Sequence, residues 1–151
     1  MTRPSPTSGG STRRRGATLV ETAVVIGVCL LFLLAIFEYG RIIMLQQILI
    51  DATREGARYA VANTNMQPTP NLQTYVTNYL AGQPLTVTSF NAFQADPNNS
   101  YANVGPWQTT PFGQPIVIQV QASYTPIFPS FGFLPNPVTL KDEATMYSEG
   151  N

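Results

Sequence analysis

The chain has no histidine and only one cysteine, Cys29, which lies inside its longest apolar run. Without imidazole, the serine, cysteine and metal hydrolase arrangements that need it as base or ligand are excluded. A single cysteine rules out an intrachain disulfide and a thiolate cluster, so Cys29 reads as a small apolar residue. Charge is scarce and unevenly placed. Residues 1–16 hold Arg3, Arg13, Arg14 and Arg15 with no acid, and the rest holds four bases against eight acids, a net charge of −4. That acidic remainder gives a nucleic acid nothing to bind. No proline falls between Pro6 and Pro68, so nothing in that stretch breaks a helix. Asp96 among asparagines raises a calcium loop, but the spacing matches no 12-residue loop with its closing glutamate. No cofactor or metal is expected, and the chain is not expected to be an enzyme.

What is present begins at residues 13–21, RRRGATLVE, where a basic leader meets an apolar run across one glycine. Residues 17–37 are 21 positions, and a helical rise of about 1.5 Å per residue makes them roughly 31 Å long, close to the hydrocarbon thickness of a bilayer. A removable secretory signal would be shorter and end in small residues. This run ends Ala35-Ile36-Phe37-Glu38-Tyr39-Gly40-Arg41 and continues in a helical pattern. Arg13, Arg14 and Arg15 place the leader on the cytoplasmic side by the positive-inside tendency, with everything after Arg41 on the other side.

Glu21 is the one charge within that span. A carboxylate costs on the order of 2.5–3.5 kcal/mol at mid-membrane, so it calls for a partner. If the chain were cut between Gly16 and Ala17, the new α-amino group would have a pKa of roughly 7.7–8.0 and would be cationic about one turn from Glu21. The amine could belong to the same subunit or to the next, and low dielectric strengthens either pairing.

Beyond the span, apolar residues keep the helical period. Ile42, Leu45, Leu49, Ala52, Gly56 and Ala60 share one face, and Ile43, Ile50, Ala57 and Val61 form a second, roughly 120° away. Two faces predict two neighbours, the chain's own C-terminal domain and another subunit, unless both belong to one wide contact. Ala52, Gly56 and Ala60 leave an edge almost without side chains, where another backbone can approach closely. Glu38 with Arg41, Asp51 with Arg54, and Glu55 with Arg58 are spaced as i,i+3 pairs of a solvated helix.

From Asn63 onward 89 residues remain, enough for one modest core. Pro68 and Pro70 end the long helix, and residues 71–80 have the spacing of a short second helix closed by Gly82. Residues 85–90, 115–124 and 137–148 alternate as strands, with Asp142 interrupting the inward set of the last and predicting a bulge or local exposure. The fold class is therefore α+β, a long N-terminal helix packed on a small antiparallel sheet with one short extra helix. Two loops remain, about 91–114 and 125–136. They carry Trp107 and Phe128, Phe131 and Phe133, aromatics that either contact a surface or fill the edges of the core.

The leader ending in Arg-Gly, the small residue after it and Glu21 at the fifth position resemble type IV prepilins. Glu38-Tyr39-Gly40-Arg41, Gln46-Gln47 and residues 51–60 (DATREGARYA) narrow the resemblance to the TadE-like pseudopilins of the tight-adherence (Tad, Flp) pilus system. The resemblance covers residues 13–62, with one departure: Thr22 stands where such prepilins often carry an aromatic. It implies a cleaved leader (1–16), a continuous helix (17–62, with 17–37 in the membrane and 38–62 as a stalk) and an extracytoplasmic head (63–151). It further implies residence in a bacterial inner membrane, possible transfer to an extracellular pilus, and Glu21 in assembly. The implied partners are a prepilin peptidase, other pilin subunits, an assembly platform with its ATPase, and the lipid bilayer. Two other readings are an uncleaved single-pass anchor that scaffolds an envelope complex, and a surface adhesin using Trp107 and the 128–133 loop for glycans.

Overall fold

A computed structural model describes the backbone of residues 12–15 and the whole of residues 16–64, 71–128 and 135–149. Outside the described residues lie leader positions 1–11, the side chains of Arg13, Arg14 and Arg15, and Pro68, Pro70, Phe131 and Phe133. Helix α1 runs from Thr12 to Ala62, 51 residues, and so begins five residues before the position read from the sequence. The chain divides into two units, one as far as Phe37 and one from Glu38 onward.

In the first unit every residue from Gly16 to Phe37 is exposed. A helix apolar on all sides has no reason to stay in water, and its stable surroundings are lipid or other protein. Among the described residues α1 is the one helix long and apolar enough to cross a membrane. Within it the Thr22 hydroxyl donates to the Thr18 carbonyl at 2.8 Å, which satisfies a hydroxyl that would otherwise be stranded in an apolar setting.

The second unit packs the rest of α1 and helix α2 (Leu72–Tyr79) on an antiparallel sheet in the order β2-β1-β3-β4. Its strands are β1 (Thr86–Asp96), β2 (Ala102–Pro106), β3 (Pro115–Tyr124) and β4 (Val138–Tyr147). Asn71 caps α2 by accepting from the Thr74 N–H at 3.0 Å, and Gly82 follows in the left-handed region. Strand β3 buries Ile116, Ile118, Val120, Ala122 and Tyr124 against Leu45, Leu49, Ala52, Ala57 and Ala60 of α1. Gln46 secures the helix to β4 by donating to the Lys141 carbonyl at 3.0 Å.

Several expectations change on contact with this fold. The sheet has four strands rather than three, because the stretch 91–114 is largely ordered: β1 runs on to Asp96, β2 follows, and Trp107–Thr109 forms a 3-10 turn. Strand β2 is an edge with mostly exposed residues, so it carries no apolar alternation and is held by hydrogen bonds to β1. Asp96 accepts from the Asn98 N–H at 2.9 Å and so shapes the turn between them. No bulge occurs at Asp142, which pairs with Val120 in an unbroken β3–β4 register and is half-buried there. The irregular pairings fall on β1, at Val87/Ser89 and Gln94/Ala95.

The second apolar stripe of α1 also divides. Ala57 is buried and Val61 packs on the same core, whereas Ile43 is exposed. Among the described residues one of the three anticipated i,i+3 pairs forms, Glu55 with Arg58 at 4.0 Å, an exposed pair of little energetic weight. Glu55 has a second role, accepting from the Tyr75 hydroxyl at 3.3 Å while Tyr75 stacks on Tyr59 at 4.1 Å between ring centres. These contacts tie α2 to α1.

Candidate functional site

The residues singled out by sequence fall in two separate places. Gly16, Ala17 and Glu21 lie on the exposed helical unit, with Arg13, Arg14 and Arg15 in the same helical backbone. Nothing comes within 4 Å of where a side chain at Gly16 would begin, and Gly16 and Ala17 are both exposed. Glu21 follows Ala17 by four residues, about one turn and on the same side of the helix. Among the described residues it has no ion pair or hydrogen-bond partner. The site thus presents an exposed peptide and, one turn on, an exposed carboxylate. No group of three or more metal-ligating side chains occurs among the described residues.

Ala52, Gly56 and Ala60 are instead buried in the second unit, facing the chain's own α2 and β3. A Cβ added at Gly56 would lie 2.6 Å from Val76 Cγ2 and 3.8 Å from Ile118 Cδ1. That approach is closer than side chains tolerate, so glycine is what admits Val76 to this position.

Sequence reasoning missed a third place. Glu38 is only 5% exposed, although it directly follows the apolar run. Its Oε1 accepts from the Tyr124 hydroxyl at 2.5 Å and from the Ile127 N–H at 3.3 Å. The Arg41 guanidinium lies 5.7 Å from the centre of the Tyr124 ring, within cation–π range, and forms no ion pair among the described residues. Burial pushes the Tyr124 phenol above its ordinary pKa, helped by the Glu38 carboxylate and opposed by Arg41. The i,i+3 spacing of Glu38 and Arg41 pointed to a surface pair. A better signal was Tyr124 itself, a phenol on the inward face of a strand, since a buried hydroxyl needs a partner.

Trp107, read as a candidate surface aromatic, is 5% exposed and belongs to the core. It forms one wall of an open groove of about 550 Å³, with Phe90, Asn71, Gln73 and Gln108 among the others.

No curated protein and no solved structure matches the chain. Residues 16–58, which take in Gly16, Ala17, Glu21, Glu38 and Gly56, match the family described as TadE-like protein, and this stretch of the N-terminal helix is similar to that family.

Proposed function

We propose that this protein is a minor pilin-type subunit of a Tad pilus. In this reading it is cut between Gly16 and Ala17 by a prepilin peptidase and then takes part in filament assembly. The similarity of residues 16–58 to the TadE-like family supports the association with the Tad pilus. The observation that carries the finer reading is Glu21, a carboxylate without a partner among the described residues and the one charge in the run 17–37, one turn beyond Ala17. Cutting there frees an ammonium at the position the carboxylate needs, in its own subunit or in the neighbour. The positive-inside tendency of Arg13, Arg14 and Arg15 gives an orientation with the leader in the cytoplasm and the sheet domain outside it. An inner-membrane platform and its ATPase would then insert or release the subunit. Catalysis belongs to these partners and not to this chain.

N-terminal sequencing and intact mass of the protein recovered from membranes test the cut. A start at Ala17 is expected, and retention of residues 1–16 would return the chain to the class of permanent anchors. Glu21→Gln then separates two roles: cleavage should proceed while incorporation into filaments drops at least tenfold. Normal incorporation of that variant would remove the carboxylate from assembly. The adhesin reading loses its exposed indole, because Trp107 is a core residue.

A further inference from the structure

The segment that leaves β3 carries two exposed apolar side chains at the end of the sheet nearest the start of the second unit. Ile127 is 58% and Phe128 38% exposed. Their level is fixed by a hydrogen bond, since the Ile127 N–H donates to Glu38 Oε1. Glu38 is the residue after Phe37, where the apolar run ends, and one residue adds about 1.5 Å of helical rise. Whatever is bonded to Glu38 therefore lies within a side chain's reach of the place where the span ends.

We propose that Ile127 and Phe128 form a second membrane contact, inserting into the headgroup region of the bilayer. This rests on the reading of residues 17–37 as a membrane span. Three neighbouring features fit a lipid surface better than water or a protein groove. Tyr39, exposed at the same level, is of the amphipathic aromatic type enriched where membrane meets water. Arg41, three residues after Glu38, is a cation without a carboxylate partner among the described residues; lipid phosphates are the anions available at that level. The described residues that lead from β3 to the contact, Thr125 to Phe128, carry no charge that would oppose an apolar boundary. The exposed aromatic Phe112, by contrast, precedes the start of β3, whereas Tyr124 ends it. At about 3.3 Å per residue, the strand places Phe112 roughly 30 Å away, at the far end of the sheet.

The contact has two functions to offer. It would fix the tilt of the sheet domain on the membrane before assembly, and it would be surrendered when the subunit leaves the bilayer.

Full-length protein in phosphatidylcholine/phosphatidylglycerol vesicles, with a fraction of the lipid brominated near the top of its acyl chains, provides the test. Phe128→Trp and Phe112→Trp are compared, both retaining Trp107 as common background. The indole introduced by Phe128→Trp should be quenched at least twofold more than the one introduced by Phe112→Trp. Ile127→Trp repeats the measurement should Phe128→Trp fold poorly. Protein that floats with the vesicles but shows equal, weak quenching at both ends overturns the contact and leaves the span intact. A blue-shifted yet unquenched indole also overturns it, since that result places a protein there. Failure to float overturns the span reading and the contact together.

Discussion

Gly56→Leu is expected to destabilise the sheet domain by about 3 kcal/mol or more, because four added heavy atoms must enter a contact already too close for one. The Cβ alone would sit 2.6 Å from Val76 Cγ2. Valine is β-branched and its α2 backbone is capped by Asn71, so it has little freedom to yield. Gly56→Ala separates two opposing effects. Overpacking costs about 1–3 kcal/mol, while replacing glycine in a helix interior returns about 1 kcal/mol, leaving a net loss near 0–2 kcal/mol. Adding Val76→Ala removes the obstructing methyls, so the double variant should lose less than the sum of the singles. Trp107 is the only tryptophan and is buried, which makes its fluorescence a reporter of this domain during denaturation of the full chain in detergent. A Gly56→Leu protein within 0.5 kcal/mol of the parent would refute the close contact with Val76.

The parts of the fold that were legible in sequence are those in which one physical signal dominates. Strand β3 is bounded at Pro115 and Tyr124 as its alternation implies, since a half-buried strand must place apolar residues at every second position. Helix α2 follows from its period and from Gly82, which closes it. The long helix follows from an unbroken apolar pattern with no proline. What escaped was structure held by contacts distant in sequence. Strand β2 is an exposed edge whose order derives from β1, and the Glu38–Tyr124 bond joins residues 86 positions apart. Local spacing favoured Arg41 as the partner of Glu38, and only the packed sheet brings a phenol to that carboxylate.

The small-residue edge shows how one pattern serves two readings. Ala52, Gly56 and Ala60 have the spacing by which helices of neighbouring subunits pack, yet in this chain they receive α2 and β3. The outward positions Tyr39, Ile43 and Met44 remain exposed on the same helix. Sequence periodicity identified a close-packing face, but which neighbour occupies it depends on the tertiary fold.

Glu38→Leu is expected to lower the stability of the same domain by about 2–4 kcal/mol, since it strands two donors, the Tyr124 hydroxyl and the Ile127 N–H. Tyr124→Phe should cost about 1.5–3 kcal/mol, the range for a hydrogen bond to a charged group. In the double variant the buried carboxylate and its phenol partner are both gone, so its loss should fall short of the sum by about 1 kcal/mol or more. Alkaline pH supplies an independent reading. The folded state raises the Tyr124 pKa, first through burial and then through Glu38, so the folded phenol keeps its proton at a pH where the unfolded one ionises. Its contribution is therefore fully present below about pH 10 and is lost as pH rises through the higher folded value. The stability gap between the parent and Tyr124→Phe should shrink over that interval. Tyr75 and Tyr147 are also raised, by burial and by the Tyr101 hydroxyl respectively, but both remain in the variant and cancel from the difference. A gap that stays constant from pH 8 to pH 12 would show that the Tyr124 hydroxyl is not bound to Glu38 where the helix enters the sheet domain.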